Sequence, residues 1–182
     1  MQYRIICIGG PTGAGKDTIA SMFLEQFPHF IRIPRSTTRP PRHNEISGFH
    51  YVFLDEDTFM IRDRRGMLCG IDYFCGYRYG IDHQSVIDVL GKDRNVLGIF
   101  GIRGLKLRDF LAEQMISIYI TAPLEVLYEH LVRRGDLRDE IAVRMVAAEK
   151  QVADELHLFD HVVYNTGTKA EALRSFTAIV SQ

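Results

Sequence analysis

One stretch near the start of the chain constrains its fold more than any other. A short apolar run at 4–8 leads into Gly9-Gly10-Pro11-Thr12-Gly13-Ala14-Gly15-Lys16-Asp17-Thr18, and a helical pattern over 17–26 follows. A glycine-rich turn between a buried strand and a helix points successive backbone N–H groups at the helix N-terminus. Those donors and the positive end of the helix dipole cradle a di- or triphosphate. Gly10, Gly13 and Gly15 let the backbone turn tightly and approach closely, while Lys16 has the reach to bridge the outer phosphates. Thr12, Ala14, Asp17 and Thr18 complete the expected donor-nucleotide site. The pattern G-x-x-x-x-G-K-[ST] wants a hydroxyl after the lysine, and Asp17 stands there. Two roles are open for it. A carboxylate is a hard oxygen ligand that could hold Mg²⁺. Alternatively, Asp17 is a first-turn acid favoured by the helix dipole, and Thr18 supplies the hydroxyl to the metal.

The rest of the chain agrees with a parallel α/β domain. Apolar runs at 4–8, 95–100, 115–120 and 161–164 suit strands covered on both faces, and amphipathic stretches at 17–26, 83–91, 103–113, 124–134, 138–157 and 169–181 lie between them. Strand–helix alternation of this kind predicts a P-loop NTPase-type parallel sheet wrapped by helices. Residues 34–80 break the rhythm. Their Arg, Tyr, Phe and Gly content, with prolines at 40 and 41, predicts a small inserted antiparallel subdomain within a single domain spanning 1–182.

Composition narrows the partners. A net charge of −1 argues against a general nucleic-acid or membrane binder. Arg outnumbers Lys 17 to 5, a bias that suits bidentate grip on anionic ligands. Cys7, Cys69 and Cys75 form no C-x-x-C pair, so a zinc site is not expected, and Cys7 reads as a small buried hydrophobe. With no signal-peptide pattern and no membrane-length apolar run, the expected location is the cytoplasm.

A second phosphate site is visible at 35–53, "RSTTRPPRHNEISGFHYVF", where Arg35, Arg39 and Arg42 fall beside Thr37, Thr38 and Tyr51. Such a cluster forms a bidentate clamp with hydroxyl support. A GTPase reading needs more than the chain offers. Asp88 to Gly91 matches D-x-x-G by letters, but Asn165 to Lys169 lacks the aspartate of N-K-x-D. The Arg-Gly-Asp at 134–136 carries no adhesion signal by itself.

On "GPTGAGK", "STTRPPR..E..G..Y.F", the "F.G.RYG" turn, "LVRRG" and "FDHVVYNTG", the chain resembles the guanylate kinase family of nucleoside monophosphate kinases over essentially its full length. The resemblance implies ATP on the phosphate loop with Mg²⁺, and transfer to the phosphate of a nucleotide, GMP or dGMP first. It implies that Arg39, Arg42, Tyr51 and Tyr79 grip the acceptor phosphate and that a short lid at 133–144 supplies Arg134 and Arg144. It also implies that Asn165 lies near adenine. Catalysis would then come from aligning two phosphates and neutralising charge through Lys16, Arg134, Arg144 and Mg²⁺. The expected partners are small molecules, with the chain a monomer or homodimer.

The chain departs from the family where guanine is read. Gly70, Gly98 and Phe100 stand where the family carries acids, Ile81 and Arg35 replace serines, and His130 replaces a lid arginine. Asp72, two residues from Gly70, shares its face if the strand keeps a period of two, and could read a base edge. The ribose 1,5-bisphosphate kinases, similar to guanylate kinases, also tend to carry "GKD" and lack the base-reading acids. A phosphosugar acceptor is therefore the alternative to a nucleotide. A catalytically silent guanylate-kinase-like binding module is the alternative of a different class.

Overall fold

The structure is a computed structural model that describes residues 4–92, 94–111 and 114–181. Nine strands are described: β1 (Ile5–Gly9), β2 (Phe30–Arg32), β3 (Arg35–Thr37), β4 (Tyr51–Phe53), β5 (Leu68–Phe74), β6 (Tyr77–Asp82), β7 (Asn95–Gly98), β8 (Met115–Thr121) and β9 (His161–Tyr164). The α-helices are α1 (Lys16–Gln26), α2 (Glu56–Arg64), α3 (His83–Gly91), α4 (Arg108–Leu111), α5 (Leu124–Arg134), α6 (Arg138–Glu155) and α7 (Lys169–Val180).

Five strands form a parallel sheet in the order β2-β7-β1-β8-β9. Alternation along β1 shows why its apolar run had to be continuous. Ile6 and Ile8 pack with Phe23 of α1, Leu127 of α5 and Phe176 of α7, whereas Ile5 and Cys7 pack with Ile33, Val86, Phe100 and Met115 on the opposite face. Both faces are buried, as parallel sheets require. Cys7 is wholly buried, and burial pushes its thiol up to about 12.

Periodicity leaves one strand unread and misreads one helix. The edge strand β2 carries no separate signal, because it is three residues long and its pairing to β7 supplies its order. The helix expected over 103–113 is instead a 3₁₀ stretch, Ile102–Leu107, followed by the single turn of α4; residues 112 and 113 lie outside the described residues. Tight winding follows from close packing. A Cβ on Gly104 would stand 2.3 Å from Phe100 Cβ and 2.8 Å from Cys7 Sγ.

Residues 35–82 build a second sheet, β4-β3-β6-β5. The β3–β6 and β5–β6 pairs are antiparallel and the β3–β4 pair is parallel. Cys75 (φ 48°) and Gly76 (φ 85°) form the two-residue turn of the β5–β6 hairpin, with the positive φ pair that matches strand twist. Directly opposed residues share a face. Arg35, Thr37, Tyr51, Phe53, Tyr79 and Asp72 therefore line one side of this sheet. The other side is covered by α2, whose buried Phe59 lies against Gly80.

Candidate active site

The loop at 10–18 follows β1 and opens α1, as its sequence required. Gly10 (φ 129°) passes so close to β8 that a Cβ there would lie 2.0 Å from the Ile120 carbonyl oxygen. Only glycine fits. Lys16 Nζ donates to the Pro11 carbonyl at 2.6 Å. Burial lowers the Lys16 ammonium to about 8, opposed by Asp17 and reinforced by Arg134 and Arg42. Two side chains missed as loop supports brace it from behind. Asn165 Nδ2 donates to Ala14 O at 3.0 Å, and His130 Nδ1 lies 2.8 Å from Gly13 O. Asn165 is buried, and that amide N–H bond serves the loop backbone.

Asp17 has a partner that sequence reading did not anticipate. Arg32, at the end of β2, donates to Asp17 Oδ1 at 2.6 Å and lies with its guanidinium 5.3 Å from the centre of the Phe49 ring. The arginine side chain is 3% exposed and the aspartate 53%. Burial works to raise the Asp17 carboxyl, but Arg32, Lys16 and His50 outweigh it and hold it below the usual carboxylate range. The carboxylate is thus anchored by one oxygen, while Thr18 is exposed beside it.

The arginine cluster expected to clamp an acceptor is organised by Glu45. Arg39 Nη2 donates to both Glu45 oxygens at 2.8 Å, and the Arg42 backbone N–H donates to Glu45 Oε2 at 2.8 Å. Arg39 also stacks over Tyr51 and Phe53, with its guanidinium 5.3 Å and 5.8 Å from the ring centres. Burial pushes the Tyr51 hydroxyl up to about 12, with Asp17 and Tyr79 adding to it, so it stays a donor. On the lid side, Arg134 Nε donates to Asp136 Oδ1 at 2.7 Å, and Arg144 Nε lies 3.4 Å from Asp136 Oδ2. The Arg-Gly-Asp letters therefore spell a turn between α5 and α6 in which the aspartate fixes two arginines.

Loop, clamp and lid converge electrostatically. Burial lowers the Arg42 guanidinium, and Arg134, Arg39 and Arg144 lower it further. The Asp136 carboxyl is raised by burial, yet Arg134, Arg144 and Arg42 hold it below its ordinary value. Lys16 and four arginines thus surround one cleft, with Asp17, Glu45 and Asp136 among them. A glycine cradle with cationic side chains on several sides fits a polyphosphate. Asp17, through its second oxygen, and Thr18 are the side chains placed to take a cation beside it.

The far end of the cleft differs from the sequence expectation. Gly70 (φ 56°) sits where β5 bulges, between the Cys69–Ile81 and Asp72–Tyr79 pairs. The bulge breaks the period of two, so the same-face argument from Gly70 to Asp72 does not hold. Asp72 still faces the cleft, directly across from Tyr79, and its Oδ1 lies 3.7 Å from Arg103 Nε. A Cβ on Gly70 would lie 2.9 Å from the Arg103 carbonyl oxygen. Phe100 is fully buried and its ring folds over Gly98, where a Cβ would stand 2.0 Å from it. Arg35 lies 5.0 Å over the Tyr79 ring, with Nε and Nη2 buried and without a hydrogen-bond partner among the described residues. Burial lowers its guanidinium. Glu155, at the end of α6, has its carboxyl raised by burial and by Asp72, and lowered by Lys16 and Arg103, which places it at the same cleft.

Among the described residues, no cluster of His, Cys, Asp or Glu forms a ready metal cage, and no helix is long and apolar enough to cross a membrane. Comparison with known proteins gives a concordant picture. The family model for guanylate kinase matches residues 2–181. A guanylate kinase of Thermus thermophilus is 32% identical over all of this chain and 82% of its own length. One from Chlorobium chlorochromatii is 33% identical, covering 98% of this chain and 95% of its own. The crystal structure of guanylate kinase from Anaplasma phagocytophilum superposes with a TM-score of 0.76 at 23% identity, over 98% of this chain and 85% of that one, and so shares the fold.

Proposed function

Because the chain belongs to the guanylate kinase family, we propose that it transfers the γ-phosphate of ATP to the phosphate of a small acceptor, GMP or dGMP being the first to test. The observation that carries this reading is the convergence of Lys16 with Arg39, Arg42, Arg134 and Arg144 on one cleft. A module that only bound an acceptor would have no use for an intact loop lysine facing lid arginines.

The chain's own groups divide the work. Loop N–H groups and the Lys16 ammonium hold the donor phosphates, and Asp17 or Thr18 would hold Mg²⁺, which would supply charge neutralisation there. Arg39 and Arg42, fixed by Glu45, hold the acceptor phosphate with the Tyr51 and Tyr79 hydroxyls beside it. Arg134 and Arg144, held by Asp136, meet negative charge as it shifts toward the leaving oxygen. No side chain forms a covalent bond to the phosphoryl group. Alignment and electrostatics do the catalysis.

An ADP-release assay over GMP, dGMP, IMP, AMP, CMP, UMP and ribose 1,5-bisphosphate tests the reading. Turnover with at least one acceptor is expected, and Lys16→Met should lower it by about a thousandfold or more. Absence of turnover with every acceptor, with ATP binding lost, would end the kinase reading; retained acceptor binding alone would favour the silent module. A phosphosugar acceptor is the second reading. It is favoured by the absence of base-reading carboxylates at Gly70, Gly98 and Phe100, where Arg103 backbone and a buried ring fill the space.

A further inference from the structure

Arg32 is almost wholly buried, and the pair it forms with Asp17 is lopsided. Its Nη2 donates to Asp17 Oδ1 at 2.6 Å, while Nη1 is buried and has no hydrogen-bond partner among the described residues. Arginine and carboxylate frequently close such a pair through two parallel bonds. Here one bond is made, and the second Asp17 oxygen is left outside the pair on a half-exposed side chain. Nor does a side chain cap α1, whose N-cap is Gly15. A buried guanidinium with an unmet nitrogen is costly. The fold keeps it at the one place where it can hold the residue that follows the loop lysine.

The cover on Arg32 comes from the inserted subdomain. Phe49 lies 5.3 Å over the guanidinium, on a segment shaped to project it. The Ile46 N–H donates to His50 Nδ1 at 3.0 Å, and the His50 N–H donates to the Ile46 carbonyl at 3.0 Å. The Gly48 N–H donates to the Tyr51 carbonyl at 2.8 Å, with Gly48 itself at φ 82°. Phe49 meets the His50 ring edge-on and stays exposed, so the core does not account for it. An aromatic face over a guanidinium excludes water and strengthens the charge-assisted bond behind it.

Resting on the phosphotransferase reading above, we propose that Arg32 is a positioning residue for the donor-site cation, acting through Asp17. It fixes one carboxylate oxygen so that the other serves a divalent cation bound with the nucleotide, and Phe49 keeps the fixing bond dry. The cation then belongs to Asp17 rather than to Thr18. The donor site also depends on the inserted subdomain, because the ring that shields Arg32 lies between Glu45 and Tyr51 of the arginine cluster. Partners that orient a metal-holding carboxylate set its affinity without touching the metal.

Calorimetric titration with AMP-PNP, an ATP analogue that transfers no phosphate, tests the role separately from catalysis. It is run once in Mg²⁺ and once in EDTA, and the ratio of the two affinities is the readout. Arg32→Lys and Phe49→Ala keep the net charge, so the long-range attraction for a cation is unchanged. Arg32→Lys should cut the ratio by about tenfold and Phe49→Ala by about threefold, with affinity in EDTA within about twofold of the parent. Phe49 is exposed, so its variant tests the proposal even if Arg32→Lys folds poorly. Equal losses in Mg²⁺ and in EDTA would overturn the proposal, since the pair would then only brace the loop. A ratio unmoved in both variants would overturn it as well, as would loss of the ratio in Thr18→Val alone, which gives the cation to the threonine. Those outcomes leave the kinase reading intact. Absence of AMP-PNP binding in either condition would end that reading and the positioning role with it.

Discussion

At the scale of single residues, Lys16 and Asp17 show how burial and charge set behaviour that a motif only names. Lys16 titrates near 8 because burial disfavours its ammonium. Its ordinary value is higher, so the cost of holding it charged is fully present below about pH 8 and disappears as pH rises from there toward the unfolded value. A polyphosphate reverses the balance by favouring the charged form. ATP binding at pH 8 should therefore take up a fraction of a proton, read by calorimetry in buffers of different ionisation enthalpy. ATP affinity should also fall above pH 8 by up to about tenfold per unit. Affinity flat from pH 7 to 9.5 would show that Lys16 does not meet the phosphates. Asp17 was legible as an anomaly in the sequence, but not as an ion pair. Arg32 is fifteen positions away on a strand too short to announce itself.

At the scale of elements, the Asp17–Arg32 pair ties the first turn of α1 to the end of β2, and Phe49 of the inserted segment covers the arginine. The partners are unequal in exposure, and so are the predicted consequences of losing each. Asp17→Ala leaves a 3%-exposed guanidinium without its anion and should destabilise the fold by about 1–3 kcal/mol. Arg32→Met leaves a half-exposed carboxylate that water can reach and should cost less. Urea denaturation of the two variants checks the order, and the reverse order would place the energetic weight on the aspartate side. The same scale explains the misread elements. Periodicity located β1, β8 and the long helices because both faces or one stripe of each are buried. It overran in the 103–113 region, where Gly101 and Gly104 let the chain wind tightly against Cys7 and Phe100. It also failed at the Cys69–Asp72 bulge, where one extra residue resets which side chains face the cleft.

At the scale of the whole molecule, the site is an assembly of parts from distant stretches: the loop at 10–18, the clamp at 35–53 and the α5–α6 turn. Their like charges repel one another: burial does most to lower Lys16 and Arg42, and Arg134 lowers both further. A bound polyanion should relieve that repulsion as well as stabilise by mass action. ATP at a hundredfold over its dissociation constant should add about 2.7 kcal/mol and raise the melting temperature by roughly 5–10 °C. Scanning calorimetry with and without ATP measures it, and an unchanged melting temperature would deny the loop a donor. The sequence by itself determined the α/β class, the phosphate loop and the arginine clamp, because glycine spacing, burial periodicity and clustered Arg are local signals. Only the tertiary structure decided that Glu45 and Asp136 hold the arginines, that Arg32 claims Asp17, and that Arg35 Nε and Nη2 are buried without a partner among the described residues. Those facts depend on which distant side chains share a low-dielectric cleft, and no local pattern encodes that.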